Sequence, residues 1–425
     1  MERSQRYSGR GGQGPRSNQF SRSSSSWKEH RSRHQVIASP SNPNPQSNSG
    51  SDNYGNNISN REEELTIPSE INSRRKINQQ VSHSGEEESL VDGTSIVGTC
   101  LFMCPVEERQ QRERLRDLSL FERLDGDPRK TSTSLAVKKF CRTISSKHVK
   151  ASDVRPIHVL EETLNYLLKL LDSKEHPFEV VHDFIFDRTR SIRQDLTMQN
   201  IVNDQVIKMY EKMVRFHIAS SHKLHNSGDN PEISSMCYLN MEQLMKVLAS
   251  LYHLYEENRK LQYCYSHEPE FYSFYVLLHL DPSQKPEVES LSLWFRRIPS
   301  PIIKSKEMCF ARKVLRYYRL GYYKQFISTV AAEASDMQCY IIEPSIHQAR
   351  LLALCCVNYG GYKLHPYPLA DLSKIVMMKK TDAECLCKHC GLLISSDEGN
   401  SFLPTKQDGF CIAKGWSQYY CLVDA

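Results

Sequence analysis

The nonapeptide Asp187-Arg188-Thr189-Arg190-Ser191-Ile192-Arg193-Gln194-Asp195 lies in a stretch whose apolar residues repeat with the period of an α-helix. Arg188 and Asp195 are seven positions apart and therefore lie on one face of such a helix. Charges on a packed face are tolerated when neighbouring helices supply opposite charges. The sequence therefore predicts a structural ion-pair network made by Asp187, Arg188, Arg190, Arg193 and Asp195. Direct contact with RNA or a partner protein is the alternative.

Amphipathic helices are predicted on both sides of this segment. In residues 158–171, leucines recur at i, i+4, i+7, i+8 and i+11, which is one face of a helix. The same spacing recurs in residues 202–216, 244–255 and 271–278. Such helices must cover their apolar faces with their neighbours. We therefore predict a mainly α-helical protein, a stacked helical-repeat (TPR-like) array, although we find no clear fixed-period sequence repeat.

Helices give way to strands near the C-terminus. Residues 369–378 predict one helix, and the capping box Thr381-Asp382-Ala383-Glu384 predicts the start of a second helix, which Gly391 ends. A hairpin is predicted next, with strands at residues 392–395 and 401–403 around an Asp-Glu-Gly-Asn turn.

Residues 410–413 are predicted to add a third strand to this hairpin. The two helices and the small sheet give the outline of a winged helix from about residue 364 to residue 425.

The first 95 residues differ in composition from the rest of the chain. They are dominated by Ser, Asn, Gln, Gly and Arg and contain too little apolar surface to offset the entropy of ordering. We predict a disordered tail here. Its arginines suit weak, salt-sensitive contact with RNA or acidic partners, and a solvated linker is the alternative. Arg74-Arg75-Lys76 resembles a nuclear-import signal.

A second motif, Gly98-Thr99-Cys100-Leu101-Phe102-Met103-Cys104-Pro105, precedes the nonapeptide. Together the two motifs resemble the Sac-three/GANP family of PCI-type scaffolds, PCI being the module shared by the proteasome lid, the COP-nine signalosome and initiation factor three. The resemblance implies a right-handed helical stack over residues 96–300 and the C-terminal part of a PCI domain, with its winged helix, over residues 301–425. Cys100 and Cys104 belong to this signature, and their spacing of one helical turn predicts packing residues.

The resemblance also implies a function. It implies a nuclear, non-enzymatic scaffold subunit of a TREX-two-like complex that couples transcription or RNA processing to messenger-RNA export. The expected partners are a second PCI-domain subunit and a small acidic bracing protein, with RNA or single-stranded DNA on a shared basic surface. The chain ends soon after the winged-helix outline, so we expect a short-form paralogue without centrin binding or direct pore anchoring. A protein-binding PCI adaptor without its own RNA contact, of a splicing-linked, proteasome-lid or centrosomal type, is the alternative.

Residues that would touch nucleic acid are predicted independently of the resemblance. Residues 296–324 contain nine basic side chains and one acidic side chain, with aromatic residues between them. On a helix ending at Gly321, Arg312, Arg316 and Arg319 would form a stripe that follows a phosphate backbone. A solvated helix face is the alternative. In the winged-helix outline, Lys379, Lys380, Lys388 and Lys406 are further candidates.

The sequence predicts no catalytic centre, cofactor or metal site. It contains no Gly-rich phosphate loop, nucleophile elbow or HExxH string. Cys387 and Cys390 form a C-x-x-C pair, but no matching second half follows, so buried thiols are the preferred interpretation. The 14 cysteines lack framework spacing, which indicates a reducing compartment. The longest purely apolar run, residues 351–357, is far shorter than the roughly 20 residues that span a bilayer.

Overall fold

The computed structural model describes residues 96–143, 149–227, 230–261, 265–281, 290–360, 365–397 and 399–411. The predicted disordered tail and the Arg74-Arg75-Lys76 string lie outside these residues. Among the described residues, thirteen α-helices and three short strands are present. No described helix is long and apolar enough to cross a membrane.

The helices follow one another along the chain, and most connections are short, whereas residues 116–156 separate α1 from α2. They are α1 (Val106–Leu115), α2 (Ile157–Lys169), α3 (Phe178–Gln199), α4 (Asp204–Asn226), α5 (Pro231–Lys260), α6 (Glu268–Leu278), α7 (Leu291–Arg297), α8 (Ser300–Ile303), α9 (Lys306–Arg319), α10 (Tyr323–Glu333), α11 (Asp336–Tyr359), α12 (Leu369–Val376) and α13 (Lys380–His389). The mainly α-helical array predicted from the periodicity is confirmed.

One large apolar core joins α2 to α11. The predicted faces of α2, α4, α5 and α6 all contribute buried residues to it, including Leu160, Met213, Leu248 and Phe271. Some helices pack on their neighbours in sequence, as α4 does on α5 and α10 on α11. Others pack on helices further along the chain, because α6 lies against α9, and α11 contacts α4 and α6. Each helix therefore covers the apolar stripe of its neighbours, as the sequence predicted.

A second core lies in the C-terminal part and contains α12, α13 and a three-stranded antiparallel sheet. The strands are β1 (Tyr367–Pro368), β2 (Ser395–Asp397) and β3 (Asn400–Leu403), in the order β1-β3-β2. Leu369, Leu386 and Leu403 are buried between the helices and the sheet. The helix–helix–hairpin order is the one predicted, and we call residues 367–411 the C-terminal unit.

Three details of the C-terminal prediction were wrong. Helix α13 begins at Lys380, so Thr381 lies inside its first turn, and the Thr381 hydroxyl donates to the Asp382 carboxylate instead of capping. The hairpin strand begins at Ser395 instead of Leu392. The third strand is Tyr367–Pro368, which pairs with β3, whereas Phe410 and Cys411 form no strand.

Gly391 ends α13, as predicted, with a positive φ of 75°. The Leu392 amide donates to the Cys387 carbonyl over 3.0 Å, and the Gly391 amide donates to the Lys388 carbonyl over 3.0 Å, so a Schellman motif closes the helix. A Cβ atom at Gly391 would lie 2.4 Å from the Gly409 carbonyl oxygen. Glycine is therefore required here both by its conformation and by its space.

Signature network and candidate nucleic-acid interface

Asp195, near the end of α3, lies at the centre of a buried ion cluster. Its carboxylate accepts from Lys138 Nζ at 2.6 Å and from Arg155 Nε at 2.7 Å. The Asp195 and Arg155 side chains are both 0% exposed. Arg155 also donates to the Ser191 hydroxyl at 2.8 Å, so one turn of α3 binds the same guanidinium twice. The cluster fixes Lys138 and Arg155, which lie between α1 and α2 in the chain, against α3.

A second cluster surrounds the buried carboxylate of Glu122. Arg112 Nη1 donates to it at 2.9 Å, Arg188 Nη2 at 3.0 Å, and the Val137 amide at 3.0 Å. Burial acts to raise the pKa of Glu122, but the charges of Arg188 and Arg112 outweigh it and hold the pKa below its usual value. Arg188 also pairs with the neighbouring Asp187. The cluster joins α1, the turn at Glu122 and α3.

Gly98 of the N-terminal motif packs against the same part of α3. The Gly98 amide donates to Gln199 Oε1 at 3.1 Å, and Gln199 Nε2 donates to the Arg155 carbonyl at 2.9 Å. A Cβ atom at Gly98 would lie 2.6 Å from the Val154 carbonyl oxygen. The two sequence motifs are therefore parts of one buried arrangement.

Arg190 and Arg193, the remaining arginines of the nonapeptide, have different surroundings. Arg190 stacks over the Phe140 ring at 3.8 Å and lies 5.6 Å from the Phe186 ring. Arg193 donates to the neutral Gln243 side chain at 2.5 Å. Neither guanidinium forms a salt bridge within the described part of the chain. The nonapeptide thus has a buried ionic side and a partly exposed cationic side.

The cysteines of the sequence motifs are packing residues in the structure. Cys100 and Cys104 are both buried, and burial raises the pKa of the Cys104 thiol to about 12. They precede α1 and lie in non-helical backbone, so the helical spacing assumed for them was wrong. Cys387 and Cys390 are also buried, and burial raises their pKa values to about 12 and about 11. No cluster of three or more His, Cys, Asp or Glu side chains suited to a metal occurs in the described ranges.

Two buried histidines share one asparagine between α3, α4 and α5. His217 Nδ1 lies 2.7 Å and His182 Nε2 lies 3.2 Å from Asn240 Oδ1, whose amide group donates to the His217 carbonyl and to Ser221. Because an amide oxygen only accepts, each imidazole donates one N–H to it. Burial lowers the pKa of His217 to about 3 and lowers that of His182 as well.

The predicted arginine stripe lies on the solvent side of α9. Arg312, Arg316 and Arg319 are exposed, while Phe310 and Val314 on the opposite face are buried. Arg319 Nη2 donates to the His279 carbonyl at 3.1 Å, and Arg312 lies 5.9 Å from the Phe295 ring. The structure thus brings these three side chains together on one face.

Two further exposed residues follow the stripe: Leu320, which the sequence reasoning did not single out, and Tyr322, one of the aromatic residues between the basic side chains. Leu320 and Tyr322 flank Gly321 at the end of α9 and are both about half exposed. Gly321 has a positive φ of 71°, and this turn directs the chain into α10. The sequence signal was the Leu-Gly-Tyr string directly after a helix, which is typical of a helix terminus with exposed flanking residues.

The four lysines of the C-terminal unit do not form one cluster. All four are exposed, and Lys379 and Lys380 are adjacent at the start of α13. Lys388 lies at the other end of α13, about 12 Å away along the helix axis. It also pairs with Glu384 at 2.8 Å. Lys406 follows the hairpin in a left-handed conformation, with a φ of 60°.

Several residues of the ion clusters were not predicted from the sequence. Lys138 and Glu122 lie in stretches without periodicity, so no pattern indicated that they would be buried. The only available signal was the charge of the nonapeptide, which required opposite charges from elsewhere. Arg112 and Arg155 belong to the segments that resemble the family, but their partners followed only from the structure.

Comparison with known proteins shows one consistent family. The sequence pattern that defines the SAC3/GANP family matches residues 103–396. SAC3 family protein B of Arabidopsis thaliana is 36% identical over 304 residues, which cover 70% of this chain and 18% of that protein. SAC3 family protein 1 of Schizosaccharomyces pombe is 29% identical over 343 residues, covering 76% of this chain and 32% of the relative.

Similarity extends to a relative with a different name. The Drosophila melanogaster protein xmas is 30% identical over 190 residues, which cover 43% of this chain and 9% of xmas. The chain therefore spans less than a third of the length of each of these three relatives.

Proposed function

Because the chain belongs to the SAC3/GANP family, we propose that it is a non-enzymatic nuclear scaffold for messenger-RNA export, which binds RNA through α9 and pairs with a second PCI-type subunit. The observation that carries the RNA-binding part is the exposed stripe of Arg312, Arg316 and Arg319. Salt bridges and hydrogen bonds to carboxylates within the described residues involve none of the three. These charges are therefore available to phosphates.

The chemistry of the stripe suits a flexible single strand. Arginines at i, i+4 and i+7 are spaced by about 5 to 6 Å, close to the phosphate spacing of an extended strand. Exposed Tyr322, beside the stripe, offers a ring on which a base could stack. Lys379 and Lys380, at the N-terminus of α13, add positive charge to the C-terminal unit, which we propose is a winged helix.

Pairing with another subunit is supported by the edge of the C-terminal sheet. Strand β2 lies at one edge, all three of its residues are exposed, and Leu393 beside it is 75% exposed. An exposed edge strand next to an exposed apolar side chain is a surface that proteins usually cover. A second PCI-type subunit with its own winged helix, together with a small acidic bracing protein, is the proposed occupant.

The test of RNA binding is fluorescence anisotropy of the whole chain with a labelled single-stranded RNA of mixed sequence. The triple variant Arg312→Glu, Arg316→Glu and Arg319→Glu should weaken binding by at least tenfold at moderate salt. The matched control is Lys130→Glu, Lys208→Glu and Lys260→Glu, which carries the same change in net charge on exposed residues elsewhere. Equal losses in both variants would mean that the chain binds RNA only through its overall charge.

Affinity purification from nuclear extract, with and without nuclease, tests the scaffold part. Recovery of a second PCI subunit that resists nuclease supports the proposal. Recovery of proteasome-lid, initiation-factor or centrosomal proteins alone would support the second candidate, a protein-binding adaptor. The same adaptor interpretation would follow if no RNA binding were measurable for the wild-type chain.

A further inference from the structure

The partly exposed cationic side of the nonapeptide is not used by the ion clusters or by the proposed RNA interface. It contains Arg190 and Arg193 of α3 and the exposed Arg142 of the preceding segment. Arg142 and Arg190 are close enough to interact electrostatically, and so are Arg190 and Arg193. Burial is the largest cause that lowers the pKa of Arg190, and the charge of Arg142 lowers this pKa further. The charge of Asp187 acts in the opposite direction.

The two nearest carboxylates are already engaged by other cations. Asp187 pairs with Arg188 and accepts from the Phe140 amide at 3.2 Å. Glu242 pairs with Lys246, one turn later on α5, and this hydrogen bond holds the pKa of Glu242 below its usual value. The three arginines therefore keep an excess of positive charge within the described residues.

Aromatic stacking positions the central arginine for recognition. The guanidinium of Arg190 lies 3.8 Å from the centre of the Phe140 ring, so one of its faces is covered. A covered face is closed to stacking on a nucleic-acid base, whereas the N–H groups at the edge of the plane remain able to donate. A planar guanidinium binds a carboxylate or a phosphate through two parallel N–H groups.

Two exposed apolar side chains adjoin the arginines. Leu239, which is 42% exposed, lies one helical turn before Gln243 on the same face of α5. Gln243 accepts a hydrogen bond from Arg193. Tyr238, which is 66% exposed, lies one turn before Glu242, a residue close enough to interact with both Arg142 and Arg190. Basic and apolar groups thus alternate on one surface.

We propose that this surface, which we define as Arg142, Arg190, Arg193, Tyr238 and Leu239, binds a short acidic peptide segment of a partner protein. Carboxylates of the segment pair with Arg142 and Arg190, and an apolar side chain of the segment packs on Tyr238 and Leu239. Mixed acidic and apolar chemistry fits this surface better than RNA, because Arg190 is already stacked and the apolar residues include an aliphatic one. The proposal goes beyond the RNA scaffold function and does not depend on α9.

The test uses the whole chain and a fluorescein-labelled twelve-residue peptide rich in Glu and Asp with one Leu and one Phe. Arg142→Glu should weaken binding by about tenfold or more, since a repulsive charge replaces an attractive one. Arg142 is exposed, so the fold should be unaffected, and circular dichroism checks this. Leu239→Ser should weaken peptide binding by a smaller factor. A peptide with Gln and Asn in place of Glu and Asp should bind the wild-type chain much more weakly.

Two controls separate this surface from the α9 stripe. The Arg312→Glu, Arg316→Glu and Arg319→Glu variant should bind the peptide as the wild type does. Arg142→Glu should bind the single-stranded RNA as the wild type does. Unchanged peptide affinity in Arg142→Glu would overturn the proposal. Loss of RNA binding instead of peptide binding in Arg142→Glu would overturn it too and would assign the surface to nucleic acid.

Discussion

Asp195 is the residue on which two separate cations depend. Its single negative charge is shared by Lys138 and Arg155, all three being buried. A buried ion cluster contributes little net stability compared with apolar packing, but removing one partner leaves a charge without compensation. Removing the shared anion would leave two such charges.

We therefore predict that Asp195→Asn lowers the free energy of unfolding by about 3 to 5 kcal/mol. Urea denaturation followed by circular dichroism measures this change. The control is Asp183→Asn on the same helix, where the side chain is exposed and the expected change is within about 0.5 kcal/mol. Similar small losses in both variants would show that the buried cluster relaxes or takes up water.

His217 gives the protein a pH dependence with a definite sign. Its pKa is lowered by burial to about 3 in the folded chain, whereas an unfolded histidine titrates near 6.5. Between these two values the unfolded state binds one more proton, so stability is complete above about pH 6.5 and falls as the pH falls. His182, whose pKa is also lowered, adds to the effect.

From pH 7 to pH 5, the histidine effect on the free energy of unfolding should be a loss of about 2 kcal/mol for His217 alone. Urea denaturation at several pH values measures it. His217→Gln keeps a hydrogen-bonding side chain without a titrating group, and its stability should vary less with pH over this interval. An identical slope in the variant and the wild type would assign the acid sensitivity to other groups.

At the scale of elements, helix termination was predicted better than helix initiation. Gly391 and Gly321 were predicted to end their helices and do so, because only glycine readily adopts the positive φ at that position. The capping box at Thr381 was wrong by two residues, because Lys379 is the N-cap of α13. Several residue types start a helix at similar cost, so the packing of α13 on α12 decides where it begins.

Two glycines of the C-terminal unit, Gly391 and Gly399, allow the effect of backbone conformation to be separated from that of steric contact. Gly391→Ala should introduce both a strained φ and a contact of 2.4 Å with the Gly409 carbonyl oxygen. Gly399→Ala, with a φ of 84° and no atom within 4 Å, should introduce strain alone, about 1 to 2 kcal/mol. Hydrogen exchange over residues 380–403 should therefore accelerate more in the first variant than in the second. Equal acceleration would mean that the loop at Gly409 moves aside freely.

The strands were harder to predict than the helices for a physical reason. Strand β1 has two residues and pairs with β3 from a distant part of the chain, so its strand character comes from its partner. Residues 410–413 were predicted to form a strand, but Phe410 and Cys411, the two of them that the structure describes, join neither edge of the sheet. Longer helices carry their own periodic signal. For this reason the four segments predicted from their periodicity coincide with α2, α4, α5 and α6.

At the scale of the whole molecule, RNA binding should depend strongly on salt. If Arg312, Arg316 and Arg319 each neutralise a phosphate, the slope of log affinity against log salt should be smaller by about 2 in the triple glutamate variant. Anisotropy titrations at four or five salt concentrations give the slope. A lower affinity with an unchanged slope would mean that the arginines support the surface without touching phosphates.

The sequence predicted the helical array, the family and the exposed α9 stripe, since these depend on period and on local motifs. It did not predict which charges meet in the interior. Glu122 pairs with Arg188, 66 residues away, and Lys138 pairs with Asp195, 57 residues away, and no local pattern encodes such distances. The same limit kept Phe140 and Leu239 from being associated with the nonapeptide.

The shared carboxylate of Asp195 also sets an order of events during synthesis. Lys138 leaves the ribosome 57 residues before Asp195, and Arg155 leaves 40 residues before it. At typical translation rates of about 5 to 20 residues per second, Lys138 waits roughly 3 to 11 seconds for its counter-charge. Through that interval Lys138, in the segment between α1 and α2, lacks the carboxylate that pairs with it in the core. A chaperone that protects nascent chains would therefore have a target at Lys138 during those seconds.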